Sequence, residues 1–416
     1  MPKQSIRLAE ESYRKSRIYA MQARYGFPAK GLRIIAVTGT NGKTTTCCYI
    51  NEMLKAAGYK TAMYTTAIIE MKGQAEPNKT HRSVALTAKL LQFLKAAKVN
   101  KVDFVVLEVT SMALHQHKLA GIPIEVAIMT NLTQDHLDYH KTMERYAEAK
   151  AQLFNGYMKP KYCILNGNDE WYPYFLKQSV GQVTSYGQAA DCDFKISKIV
   201  QEGEGSSWQI SHQGQPVLLQ TQLSALFNIY NATAAAAVGL VLGLEPGTIR
   251  NGIDNVALVP GRMESIKMGQ DFTVWVDFAV TPDALQKVLE AARHTAKRQV
   301  SVVFGATGDR DKTKRPIMGA IAAKYADNIY LTDDETYTED PDTIREAVFA
   351  GIEQAGGAKK TVVIADREKA IQSAFKHAKK GDVVVLAGMG HENFRNMGGK
   401  NIPWDEREIA SQLLTK

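Results

Sequence analysis

The stretch Val37-Thr38-Gly39-Thr40-Asn41-Gly42-Lys43-Thr44-Thr45-Thr46 constrains this chain more than any other. The apolar run before it, Leu32 to Val37, reads as a buried strand, and the apolar spacing from Cys47 to Ala57 suits a helix. A strand, a glycine-containing loop and a helix N-terminus together make a phosphate cradle. Loop N–H groups and the helix end point at the anion, Lys43 adds a cation, and the Thr44 hydroxyl can ligate magnesium. The usual G-x-x-x-x-G-K-[ST] spacing is incomplete, because Val37 stands where the first glycine belongs, leaving Gly39-x-x-Gly42-Lys43-Thr44. A bare Gly-Lys-Thr turn can arise by chance. This one lies between a strand and a helix at the start of an α/β pattern, and it reads as a nucleoside triphosphate site.

A chain of 416 residues argues for two or three domains. Hydrophobic content of 45% and charged content of 23% are ordinary for a globular protein. No apolar run approaches the roughly 18 residues of a membrane span, and the polar start, Met1 to Arg17, has no leader-like apolar core. The net charge of +8 comes from basic residues that are scattered rather than clustered, which suits anionic metabolites better than nucleic acid. Cys47, Cys48, Cys163 and Cys192 have no metal-binding spacing and fit reduced thiols in a cytoplasm.

Residues 1–30 read as a short helical lead-in ending at Phe27-Pro28. From 31 to about 155 strands alternate with helices (Val102 to Val109 and Val126 to Thr130 as strands, 84–97 and 142–154 as helices), the signature of a parallel sheet with crossover helices. Between about 160 and 222 short alternating segments separated by Gly203, Gly205 and Gly214 predict a small antiparallel β insertion. Asn228 to Leu242 returns to helix, and 255–263, with Pro260-Gly261, reads as a linker. A second α/β pattern follows from Phe272, with strands expected at Val274–Val276, Val300–Phe304, Asn328–Leu331, Thr361–Ile364 and Val383–Leu386. The expected fold is therefore a phosphate-loop central domain over 31–258 and a Rossmann-like C-terminal α/β domain over 259–416.

Glu108 ends an apolar strand, the position at which a parallel sheet places a magnesium ligand beside its phosphate loop. Taken alone it is equally an exposed strand-end carboxylate. The run Asp135-His136-Leu137-Asp138-Tyr139-His140 follows another strand and is too polar for core packing, so a second metal or phosphate site is expected there. Lys150, on the helix after it, reads by itself as a solvated lysine.

These residues resemble the Mur ligases, and within them the UDP-N-acetylmuramoyl-tripeptide synthetase branch. The likeness spans roughly 31 to 410. Beyond the phosphate loop it is carried by Glu108-Val109-Thr110-Ser111, by Thr130 to His140 and by Tyr146-Ala147-Glu148-Ala149-Lys150. Asn228-Ile229-Tyr230-Asn231-Ala232, Pro260-Gly261-Arg262-Met263-Glu264, Gly308-Asp309-Arg310-Asp311-Lys312 and Gly388-Met389-Gly390-His391-Glu392 complete it. The resemblance implies an ATP-dependent, ADP-forming ligase of peptidoglycan precursor synthesis. A substrate carboxylate takes the γ-phosphoryl group to give an acyl phosphate, and the amine of an incoming amino acid displaces phosphate. It also implies that Gly39, Thr40, Asn41, Gly42, Lys43, Thr44 and Thr45 hold the ATP phosphates, with Thr44 on one Mg²⁺. Glu108, His136 and a carbamylated Lys150 would hold a second Mg²⁺. Asn228 and Asn231 would lie near the adenine, Asp277 near the ribose and Arg262 toward phosphate. Arg310, Gly388 and Glu392 would bind the amino acid.

Three departures bear on the substrates. Residues 1–30 are too few for the family's UDP-binding N-terminal domain, and the sugar-side Thr-Thr-Pro element is replaced by His81-Arg82-Ser83-Val84-Ala85-Leu86-Thr87. The acceptor is then a nucleotide-sugar peptide gripped differently or another peptide, or a partner supplies the N-terminal function. The family's Asp-Asn-Pro-Arg motif, which selects meso-diaminopimelate, reads Asp334-Glu335-Thr336-Tyr337. A tyrosine cannot replace a bidentate carboxylate clamp, whereas Asp334 and Glu335 offer negative charge to a basic amino acid such as lysine or ornithine. The alternative for this acidic run is a solvated loop. Finally, Val280 replaces the histidine of Asp-Tyr-Ala-His-Thr-Pro near the nucleotide. Other readings are a cyanophycin-synthetase-like ligase acting on a different peptide, a folylpolyglutamate-synthase-like enzyme, and a non-catalytic ATP-binding relative. The intact Lys43, Thr44, Glu108, His136 and Lys150 favour catalysis.

Overall fold

The computed structural model describes residues 2–79, 87–201, 205–212 and 214–415, with the backbone alone for 2–9. Residues 81–86, which carry the altered sugar-side element and the expected start of a helix at 84, lie outside these, as does Gly203. The chain forms two compact units, one comprising Met1–Leu132 with Thr142–Ala257, the other Thr133–Lys141 with Leu258–Lys416.

The first unit is built on one 11-stranded sheet. Beside its middle strand runs the inner strand Arg33–Thr38, of which every residue from Ile34 onward is buried. It is flanked in parallel by Phe104–Glu108 and Val126–Met129. Continuous apolar runs of this kind are what a sheet covered on both faces requires. Parallel pairing continues outward through Thr61–Tyr64 on one side and through Tyr162–Asn166, Gln182–Gly187 and Phe194–Val200 on the other. Antiparallel strands finish both edges: Ile68–Met71 and Gln74–Pro77 at one, Ser206–His212 and Gln215–Thr221 at the other.

The antiparallel portion is thus narrower than the texture of 160–222 suggests, and it extends the main sheet. Tyr162–Asn166 stays parallel because Cys163, Ile164 and Leu165 are all buried, leaving no solvent face to alternate. Helix Thr87–Val99 covers one face through Leu90, Leu94 and Ala97, a spacing of four and three that makes one apolar stripe. Helix Lys43–Ala56 is buried along most of its length and packs on the Ala-rich helix Leu226–Val241, whose small side chains permit the close approach. Trp208 ties the antiparallel edge to that helix, its Nε1 donating to Thr233 Oγ1 at 2.9 Å. The N-terminal lead-in forms helix Pro2–Arg24.

The second unit has a 6-stranded sheet in the order Glu264–Ser265, Thr273–Asp277, Val383–Ala387, Val300–Phe304, Asn328–Leu331 and Thr361–Val363, parallel except for the short first strand. Helices cover both faces over two apolar clusters. A separate hairpin, Phe394–Met397 with Lys400–Pro403, turns through Gly398 and Gly399. Both units are mixed α/β, as expected.

Candidate active site

In each unit several of the expected site residues lie just beyond the carboxyl ends of parallel strands, where open α/β sheets place their ligands. In the first unit, Val37 and Glu108 are paired across the central strands, so the loop leaves the sheet beside the Glu108 carboxylate. Gly42 caps helix Lys43–Ala56 in the left-handed region, φ 83°. A Cβ built there would fall 2.2 Å from Asn231 Oδ1. Two residues after the next strand brace the loop: Asn41 N donates to Asn131 Oδ1 (3.0 Å), and Thr130 Oγ1 donates to Asn41 O (2.6 Å). Thr45 is buried in the first turn. Lys43 Nζ bends back onto Thr40 O at 2.7 Å.

Around this loop the structure gathers the expected metal and nucleotide residues of the first unit. Thr44 Oγ1 donates to Glu108 Oε2 at 2.8 Å. Lys150, 1% exposed, donates from Nζ to Gly39 O at 2.7 Å and lies 4.7 Å from the centre of the Tyr146 ring. It is therefore not the solvated lysine that its helix alone suggests. Asn231 accepts from Thr46 Oγ1 (3.4 Å) and donates to Asn228 Oδ1 (3.3 Å), which places the expected adenine-side pair against the loop helix.

Two participants escape the sequence reading. Thr66 donates its N–H to Glu108 Oε2 (3.0 Å) and its hydroxyl to the same oxygen (3.1 Å), and the Tyr146 hydroxyl meets Thr40 Oγ1 at 3.2 Å. The available signal for Thr66 is its place just beyond the strand Thr61–Tyr64, at the same sheet edge as the phosphate loop. The oxygen donors Thr44 and Glu108 beside a helix N-terminus suit Mg²⁺ with a polyphosphate. The residues present thus fit the ATP–Mg²⁺ group that the resemblance implies.

His136 belongs to the segment that clusters with the second unit. It caps the short turn Leu137–His140 with φ 54°, and its Nε2 lies 3.3 Å from Asp135 Oδ2. Asp135 in turn faces Lys314 (3.6 Å), and Gln134 Nε2 donates to Thr313 Oγ1 (2.9 Å) and Asp311 Oδ2 (3.2 Å).

Elsewhere in the second unit, Asp277 is buried at a strand end and accepts from Met263 N at 2.7 Å. Burial pushes its carboxyl up to about 6, against the opposing pull of Arg262 and of that hydrogen bond. The Arg262 guanidinium lies over the Phe278 ring, 4.7 Å from its centre. The loop 333–337 is no solvated acidic run. Asp333 pairs with Arg345, and Asp334 is buried with its Oδ2 only 2.4 Å from where a Cβ on Gly388 would stand. Glu335 and Tyr337 point together, 3.4 Å between Oε2 and the hydroxyl. Arg310 joins them, with Nη2 3.5 Å from the Tyr337 hydroxyl and its guanidinium 5.0 Å from the ring centre. Burial and the neighbouring Asp334 raise the Glu335 carboxyl above its usual range. Gly388 donates to Asp277 O (2.9 Å), and Glu392, half-buried, donates its N–H to Met389 O (2.9 Å). The structure thus brings Arg310, Glu335 and Tyr337 together, while Asp334 turns inward.

Comparison with known proteins matches both parts of the chain to one family. Residues 37–239 match the Mur ligase middle domain and residues 261–390 the Mur ligase, glutamate ligase domain. The chain is 38% identical over 392 residues to the UDP-N-acetylmuramoyl-L-alanyl-D-glutamate–2,6-diaminopimelate ligase of Syntrophomonas wolfei, covering 94% of this chain and 80% of that protein. It is 40% identical over 411 residues to the enzyme of that name from Geobacillus kaustophilus, covering 97% and 83%. A solved structure bearing the same ligase name superposes with a TM-score of 0.64 at 32% identity, over 93% of this chain and 79% of that one. The folylpolyglutamate synthase of Mycobacterium tuberculosis with ADP reaches a TM-score of 0.73 over 90% and 91%, but at 19% identity, a likeness of fold alone.

Proposed function

This chain belongs to the Mur ligase family and is an ATP-dependent amide-forming ligase, and we propose that it adds a basic amino acid to a UDP-N-acetylmuramoyl-dipeptide-like carboxylate in peptidoglycan precursor synthesis. A carboxylate oxygen of the acceptor attacks the γ-phosphorus and ADP leaves. The amine of the incoming residue then attacks the acyl carbon, phosphate leaves and the amine loses a proton. Lys43 and the loop N–H groups hold the polyphosphate. Thr44 would hold one Mg²⁺, and the family resemblance assigns Glu108, His136 and a carbamylated Lys150 to a second. Such ions would supply charge neutralisation between two anions that must meet. Asn228 and Asn231 take the base, Asp277 the ribose, Arg262 phosphate, and Gly388 and Glu392 the amino acid. The reaction belongs to the cytoplasm, where its nucleotide substrates are.

The observation that supports a basic amino acid is the grouping of Glu335 with Tyr337 at the position of the family's arginine. A terminal ammonium on Glu335 gains a charge-assisted bond of about 1.5–3 kcal/mol, whereas the second carboxylate of diaminopimelate would meet Glu335 as a like charge. Arg310 beside the Tyr337 hydroxyl, and the names of the relatives, support diaminopimelate as the competing substrate. Phosphate release with ATP, Mg²⁺ and the UDP-muramoyl dipeptide decides between them. We expect release with lysine or ornithine, roughly tenfold or more in kcat/KM over diaminopimelate, and its loss in Lys150→Ala. Diaminopimelate outcompeting lysine would overturn the basic-substrate reading and leave the ligase intact. Silence with every amino acid would overturn the acceptor.

A further inference from the structure

Behind the loop 333–337 lies a buried charge cluster for which the reaction so far has no use. Arg367 and Glu406, both fully buried, face each other with Nη2–Oε1 at 2.6 Å, and Arg367 Nη2 also donates to Ala387 O at 2.8 Å, just before Gly388. Trp404 Nε1 donates to Glu406 Oε2 at 2.8 Å. Arg395, on the hairpin, stacks its guanidinium 4.5 Å from the Trp404 ring centre. Its Nη2 donates to two successive carbonyls, Asp333 O at 2.7 Å and Asp334 O at 2.9 Å.

The residues after Arg395 continue this grip on the same loop. Asn396 N donates to Glu335 Oε1 (3.1 Å), Tyr337 N donates to Asn396 O (3.0 Å), Gly398 N donates to Thr336 Oγ1 (3.1 Å), and Gly399 N donates to Tyr337 O (2.7 Å). The hairpin therefore meets every residue from 333 to 337. That leaves Glu335 Oε2 and the Tyr337 hydroxyl turned toward Arg310. Stability alone is a poor reason for this guanidinium. Arg395 is 5% exposed, and its Nε has no hydrogen-bond partner among the described residues, a costly arrangement that a neutral side chain would avoid.

We propose that Arg395 is a positioning residue for the incoming amino acid, fixing the backbone at Asp333 and Asp334 so that Glu335 and Tyr337 present a preformed pocket beside Arg310. This rests on the reading of that pocket as the amino-acid site. It differs from a substrate contact, since Arg395 acts through carbonyls and the stacked Trp404. Preorganisation of this kind lowers the ordering cost of binding and is read in affinity.

Arg395→Gln and Arg395→Lys test it by two measurements. In steady-state kinetics with the amino acid that the unmodified chain accepts, Arg395→Gln should raise the amino-acid KM at least fivefold. The KM for ATP should stay within twofold, and the preference between lysine and diaminopimelate should narrow. Arg395→Lys, which keeps the charge but loses the stacked fork, should fall between. Amide hydrogen exchange, which needs no turnover, should speed up over 335–337 and 396–399 while the strand Val383–Ala387 keeps its protection. An unchanged amino-acid KM overturns the proposal, as does unchanged exchange in this loop. So does a parallel rise of both KM values with a lowered melting temperature in both variants, the mark of a merely structural residue. Silence of the unmodified chain with every amino acid would count against the proposed function, and the exchange experiment would still decide for Arg395.

Discussion

Asp277 shows how far one residue's surroundings depart from what its side chain suggests. Its carboxyl is buried, and desolvation outweighs the help of Arg262 and of Met263 N, so it titrates near 6 in the fold and near 4 when unfolded. Below about pH 4 both states hold the proton. Between about 4 and 6 the folded chain binds it and the unfolded chain does not, so stability falls as pH rises through that window and levels off above it. The loss is on the order of 2–3 kcal/mol. Asp277→Asn should remove that slope, so urea midpoints at pH 4.5 and 7 should lie closer together than in the unmodified chain. An identical slope in the variant would mean that another group carries it.

At the scale of elements, the junction between strand Arg33–Thr38 and helix Lys43–Ala56 governs the site. Gly42 has φ 83° and no room for a side chain beside Asn231. Gly42→Ala should therefore cost about 1 kcal/mol or more in backbone strain and displace Asn231. ATP affinity, read by calorimetry with Mg²⁺, should drop at least tenfold while the melting temperature moves only a few degrees. Undiminished ATP binding would show that the loop tolerates another path.

This junction was legible in sequence because strand, loop and helix are contiguous, and the buried parallel strands were legible because their apolar runs are unbroken. Thr66 was not legible. Its link to Glu108 joins residues 42 apart, and a threonine after a strand has no spacing signature. The acidic loop 333–337 was ambiguous for a related reason. Charge density suggests solvent, but Arg345 pairs with Asp333, Arg395 donates to the carbonyls of Asp333 and Asp334 from 62 and 61 residues away, and the Arg367 charge favours the buried Asp334 carboxylate. The antiparallel edge is narrower than the texture of 160–222 suggests because Tyr162–Asn166 and Gln182–Gly187 join the sheet in parallel.

At the scale of the whole molecule, the two units are not two consecutive halves of the chain. The backbone passes from the first to the second at 132–133, back at 141–142, and across again at 257–258. The excursion is anchored by Gln134 on Asp311 and Thr313 and by Asp135 facing Lys314, whose side chain is 5% exposed. A fragment beginning at Leu258 leaves those groups to water. It should melt several degrees below the corresponding transition of the intact chain, and coincident melting would show that the excursion adds nothing. The same layout bears on any chimera. A C-terminal unit transplanted from a relative with a different amino-acid preference is a two-piece graft, because the segment carrying His136 has to travel with the unit it packs on. A hybrid joined only at residue 257 would set one enzyme's segment 133–141 against another enzyme's counterparts of Asp311, Thr313 and Lys314, and its failure would say nothing about the specificity being exchanged.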